Sequence, residues 1–123
     1  MLINLSNHPS SEWSENQKQT AISLYHSIID ISFPQINPEG DEIYINNLAD
    51  EFLQKILTIK NNNPHEALIV HLMGELTFCF ALLKKLQQHN IPCVASTTKR
   101  IVEITPDNKK ISKFEFVKFR HYL

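Results

Sequence analysis

The stretch Ala67-Leu-Ile-Val-His-Leu-Met-Gly-Glu-Leu-Thr-Phe-Cys-Phe-Ala-Leu-Leu-Lys-Lys-Leu86 decides the fold, because it reads as an apolar strand turning at one glycine into an apolar helix. The run Ala67 to Leu72 is apolar at nearly every position, which suits a central parallel strand covered on both faces. Gly74 has no side chain to clash, so the backbone there is free to turn sharply or to approach a ligand closely. The helix that follows carries Leu76, Cys79, Phe80, Leu83 and Leu86 on one stripe, with Phe78 and Leu82 apolar off it. A helix apolar on two sides is buried on two sides, here by the sheet and by either a second helix or a second copy of the chain.

Upstream, Leu2 to Ser6 reads as a strand ended by the polar, proline-containing run Ser6-Asn7-His8-Pro9-Ser10. Ser14 with Gln17 is a capping-box pattern, Trp13 is placed to staple onto the helix it opens, and that weakly amphipathic helix runs to about Tyr25. Ile28, Ile29 and Ile31 mark a second strand, Ser27 to Phe33, which Pro34 terminates before a loop reaching Asp41. Ile45, Leu48, Ala49, Phe52, Leu53, Ile56 and Leu57 then fall on one helical face, predicting a helix from about Glu42 to Lys60, ended by Asn61-Asn-Asn-Pro64.

Downstream, Asn90 reads as a left-handed cap, and Pro92 to Ala95 as a fourth strand. Its exit is the hydroxyl-rich Ser96-Thr-Thr-Lys-Arg100. A hairpin follows, Ile101 to Thr105 and Ile111 to Phe119 around Pro106-Asp-Asn-Lys, with Phe114 and Phe116 on one face and Val117 and Phe119 on the other. Strands alternating with helices demand a parallel sheet with right-handed crossovers. The expectation is a single α/β domain over residues 1–123: a Rossmann-like three-layer sandwich with core strands ordered 2-1-3-4 and the hairpin extending the edge.

A chain of 123 residues has room for one substantial core. Its formal charge of −1 supplies no bulk pull towards long nucleic acid or an anionic membrane, so a polyanion must be caught locally. No apolar run approaches the ~20 residues that span a bilayer, and the amino terminus lacks a signal-peptide pattern. Cys79 and Cys93 have no ligand-type spacing and read as small buried hydrophobes without metal or disulfide, with the cytoplasm as the default location. Gly-x-Gly-x-x-Gly after the first strand, Gly-Lys-Ser/Thr and Gly-x-Ser-x-Gly are all absent, which argues against an ordinary dinucleotide, nucleotide triphosphatase or hydrolase site. Neither cofactor nor metal is expected.

In open parallel sheets ligands collect outside the carboxyl ends of the strands, at the point where strand order reverses. Three of those ends gather polar residues: Ser6, Asn7, His8 and Ser10; His71, Gly74 and Glu75; and Ser96, Thr97, Thr98, Lys99 and Arg100. His8 stands next to a proline on the rim. His71, inside a buried strand, reads as a core histidine bonded to backbone. Glu75 reads equally as a carboxylate favoured by a helix amino terminus and as an anchor for a ligand hydroxyl. Ser96, Thr97 and Thr98 with Arg100 offer short hydroxyl donors and a charged fork, the chemistry phosphate oxygens require.

The strand exit Asn7-His8-Pro9-Ser10, the Met73-Gly74-Glu75 turn, Ser96-Thr97-Thr98-Lys99-Arg100 and the closing Phe114-Glu-Phe-Val-Lys-Phe-Arg120 together resemble the small CRISPR-associated Rossmann-fold (CARF) sensors and ring nucleases. The resemblance implies a homodimer binding a cyclic oligoadenylate, tetra-adenylate favoured, across its two-fold axis. It implies metal-independent cleavage in which a ribose 2′-hydroxyl attacks the neighbouring phosphate. His8 is then the candidate base or acid, Arg100 and Lys99 the charge stabilisers, and Ser6, Asn7, Ser10, Gly74, Glu75, Ser96, Thr97 and Thr98 the ligand contacts. Competing readings are a non-catalytic binding module, a nucleotide N-glycosidase using Glu75 as nucleophile, and a structural interaction domain.

Overall fold

The elements follow in the order β1 (Leu2–Ser6), α1 (Glu15–Tyr25), β2 (Ile28–Asp30), α2 (Glu42–Asn62), β3 (Ile69–Met73), α3 (Leu76–Gln88), β4 (Cys93–Ile104) and β5 (Lys110–His121) in the computed structural model, which describes Met1–Leu123. All strands join one five-stranded sheet of order β2-β1-β3-β4-β5, parallel through its first four members and antiparallel at β5. The expected α/β architecture, with its parallel core and carboxyl-terminal hairpin, is the one observed. Strand order reverses between β1 and the central strand β3, and every residue of β1 is buried.

Side chains alternate across a strand, so Ile3, Leu5, Val70 and Leu72 face one way and join the core under α2 and α3. Leu2, Ile69 and Val94 face the other way and pack with Ala21 of α1, Trp13, Phe116 and Phe119. Local chemistry sets the helix ends. Ser14 Oγ accepts from the Gln17 N–H at 3.2 Å to open α1, and the Asp41 carboxylate accepts from the Tyr44 N–H at 2.9 Å to open α2. Asn90, at φ 58°, turns the chain out of α3. α3 buries Phe78, Cys79, Leu82 and Leu86, with α2 of the same chain as its second cover, while Leu76 and Phe80 stay exposed.

Several boundaries differ from the sequence expectation. β2 ends at Asp30, and β3 starts at Ile69 and reaches Met73. The larger difference is β4: Ser96 to Arg100 is the middle of one uninterrupted strand, where the sequence suggested a loop between two strands. Threonine is a good strand former, and no glycine or proline intervenes before Pro106. The phase of the last strand also changes. Thr97 pairs with Lys118 but Thr98 pairs with Phe116, leaving Val117 as the extra residue of a β-bulge. One added residue reverses the alternation beyond it, so Phe119 joins Phe116 in one buried cluster, ring centroids 4.8 Å apart. Trp13 is buried against the sheet, edge-on to His71.

Candidate functional site: a polar row beneath a cleft

Asp30, Asn4 and His71 are register partners across β2, β1 and β3, forming one polar row on the α1 face of the sheet. Asn4 and His71 are 1% and 2% exposed, so their polar atoms need internal partners. Asn4 Nδ2 donates to Asp30 Oδ1 at 2.8 Å and to the His8 carbonyl at 2.9 Å. That orients the amide and leaves Oδ1 as acceptor for Ser6 Oγ–H at 2.8 Å and for His71 Nδ1–H at 2.9 Å. The other ring nitrogen, Nε2, lies 2.7 Å from Ser96 Oγ, which accepts in turn from Gln17 Nε2 at 3.0 Å. Burial pushes the His71 imidazole down to about 4, so the ring is neutral near pH 7. With Nδ1 carrying the proton, Nε2 is a bare acceptor and the Ser96 hydroxyl donates to it. At the far end of the row desolvation pushes the Asp30 carboxyl upward. Hydrogen bonds from the Ser10 hydroxyl, Asn4 and the Ser10 N–H outweigh it and hold the group below its ordinary range.

Above the Ser96 end of this row opens a cleft of about 740 Å³, at the carboxyl ends of β1 and β3. Ser6, Asn7, His8, Gly74, Ser96 and Thr98, all anticipated from sequence, line it, as does His71. Trp13, Gln17 and Met73 complete the inner wall, and Phe114 and Phe116 the outer. Gly74 is required there because a Cβ would run into the Phe33 ring, which packs edge-on against Phe78. The close approach at that glycine is thus made by an aromatic side chain of this chain. Another hollow, about 610 Å³ between α2 and α3, is lined by helix side chains such as Glu42, Lys84 and Gln88.

The remaining anticipated residues do not line the cleft, so the expected gathering of His8, Glu75 and Arg100 in one hollow is not what the chain forms. Ser10 is bound to Asp30 through its N–H and hydroxyl, at 2.9 and 2.6 Å. Glu75 is the N-cap of α3: its carboxylate accepts from the Thr77 hydroxyl at 2.7 and 2.8 Å and from the Thr77 and Phe78 N–H groups at 2.9 and 2.8 Å. Those bonds, the Thr77 hydroxyl foremost, hold it below the usual carboxylate range. Thr97 bonds the Lys118 backbone, and Lys99, paired with Glu115, alternates to the face away from Thr98. Arg100 returns to the Thr98 face, opposite Phe114, where Ser112 Oγ accepts from its Nε and Nη2 at 3.3 and 3.0 Å. His8 is exposed on the rim, with Nδ1 3.6 Å from Glu12.

Asn4, Trp13, Gln17 and Asp30 belong to the site without having been singled out for it. Asn4 did carry a signal: an amide inside an apolar strand, two residues before Ser6 and therefore on the same face. Gln17 and Trp13 carried signals that pointed to helix capping instead. Both cysteines are free and buried, and desolvation pushes each thiol up to about 12, which makes them poor nucleophiles and ligands. No group of three His, Cys, Asp or Glu side chains is disposed to hold a metal ion, and no helix is long and apolar enough to cross a membrane.

Comparison with known proteins finds no match among curated proteins or solved structures. A family model does match, over residues 1–120, and its description reads "Uncharacterized protein MJ1673 family". The match spans nearly the whole chain, and the chain belongs to that family.

Proposed function

We propose that this chain binds a cyclic oligoadenylate, tetra-adenylate by preference, and cleaves it without metal by attack of a ribose 2′-hydroxyl on the adjacent phosphate, switching off type III CRISPR signalling in the cytoplasm. The observation that carries this reading is the convergence of hydroxyls, amides and a rim imidazole from the ends of β1 and β3 and the middle of β4 on one cleft. Its volume falls in the ~300–1,000 Å³ range of small-molecule sites, enough for part of such a ring. A ring of four nucleotides then calls for two clefts facing each other across a two-fold axis, hence a homodimer. Phe114, exposed where it lines the cleft, suits stacking by adenine. Arg100, about 7 Å beyond Thr98 on the same face of β4, offers its charged fork to a phosphate at the mouth. Lys99, on the other face, reaches a phosphate only from a second copy.

In-line attack by a 2′-hydroxyl needs positioning, donors for the developing charge, and acid-base groups worth ~10²–10⁴-fold. His8, exposed at the rim, is the proposed acid-base partner. Glu75, bonded to its own helix, is a poor candidate for the glycosidase reading, which requires a free carboxylate. Incubation with radiolabelled cyclic tetra-adenylate in EDTA tests the proposal, and linear products ending in a 2′,3′-cyclic phosphate are the expected result. An unchanged ring at excess protein removes cleavage, tight binding without turnover selects a sequestering module, and free adenine selects N-glycoside chemistry.

A further inference from the structure

We propose that Ser96 is the catalytic residue that accepts the proton of the attacking ribose hydroxyl, handing its own proton to His71 Nε2. This rests on the reading of the cleft as a cyclic oligonucleotide site. Three features of the polar row carry it. Asn4, fixed by its bonds to Asp30 and the His8 carbonyl, offers His71 only an acceptor, which forces the Nδ1–H tautomer and turns a bare Nε2 towards Ser96. Gln17 occupies Ser96 Oγ as a donor, so the hydroxyl proton is directed at the imidazole. Ser96 Oγ stands where the buried row meets the cleft, which both Ser96 and His71 line. A network serving stability alone needs partners for Asn4 and His71, but it does not need its last hydroxyl at a ligand-sized opening.

The step balances as follows. The 2′-hydroxyl proton passes to Ser96 Oγ while the Ser96 proton passes to His71 Nε2, and the 2′-oxygen forms a bond to phosphorus. The bond from phosphorus to the 5′-oxygen breaks, and that oxygen takes a proton from His8 at the rim. Products are a 2′,3′-cyclic phosphate end and a 5′-hydroxyl end. His71 then returns its proton through Ser96 to water, and His8 is reprotonated from water. Burial disfavours the imidazolium formed midway, and Asn4 Oδ1, itself polarised by the Asp30 carboxylate, offsets part of that cost. His71 and Asn4 act through Ser96 and are positioning residues for it.

The test combines kinetics with a readout independent of activity. In Ser96→Ala, single-turnover cleavage of cyclic tetra-adenylate at saturating protein should fall ~10²-fold or more, a loss of rate in the bound complex separate from any weakening of binding. Ser96→Thr, which keeps a hydroxyl on a strand, should recover most of the rate. A proton inventory in mixed H2O and D2O should curve for the wild type and become linear in Ser96→Ala, a change that a purely structural serine would not produce. Long-range ¹H–¹⁵N correlation spectra of the unliganded protein should show His71 neutral with its proton on Nδ1. A proton on Nε2, or wild-type cleavage by Ser96→Ala, overturns the relay and leaves the cleft reading standing. A wild-type protein that neither binds nor cleaves the ring overturns both.

Discussion

Protonating His71 would put a charge between Trp13 and Phe119, whose rings stand 5.2 and 5.6 Å away, and would confront the Ser96 hydroxyl with a second donor. The unfolded chain takes that proton near the ordinary value of 6.5, the folded chain only at about 4. Because the unfolded state binds the proton first, stability from this residue is complete above the higher value and is lost as pH falls towards the lower one. The interval caps the effect at roughly 3 kcal/mol. Asp30, depressed by its hydrogen bonds, works in the same direction in more acid solution. Urea unfolding should therefore show a decline from about pH 7 to about pH 4.5, and His71→Gln should flatten it. An equal slope in both proteins would assign the pH dependence to the carboxylates instead.

Among the elements, the β3-to-α3 turn shows how much the sequence revealed and where it misled. The apolar strand, the glycine and the helix were all legible, since Ala67 to Leu72 has no polar alternation and Gly74 interrupts it. Which group needs the glycine was not legible, because Phe33 arrives from a loop about forty positions upstream and no local pattern announces it. Gly74→Ala should cost about 1–3 kcal/mol by overpacking against that ring, and trimming it with Phe33→Leu should recover part of the loss. Additive effects in thermal unfolding would rule out a direct clash. In the same way Ser96 and Thr98, singled out for their hydroxyls, line the cleft, yet their strand was read as a loop because polar composition imitates a turn. The bulge at Val117 left no trace, as a one-residue shift leaves local composition unchanged and is set by pairing with β4. Asn4 and His71 looked like separate anomalies because register, which makes them neighbours, is a property of the assembled sheet.

Taken as a whole, the molecule combines a helix-covered sheet with a two-stranded ribbon. β4 and β5 are each 12 residues long, whereas β3 has 5, so their outer halves have no third strand to lie against. Val102, Ile104 and Phe114 stay exposed there, and the cross-strand pair Lys113–Glu103, 3.4 Å apart in solvent, adds little. Amide hydrogen exchange should split β4 in two, slow from Cys93 to about Ser96 and faster by at least ~10²-fold towards Ile104. Uniform protection along the strand in dilute solution would mean that the ribbon tip is covered, as by a second copy. Since one uninterrupted strand holds Ser96 against His71 at its root and reaches water at its tip, the exposed arm and the cleft share a single backbone, and the arm is anchored through the segment that carries the bonded hydroxyl.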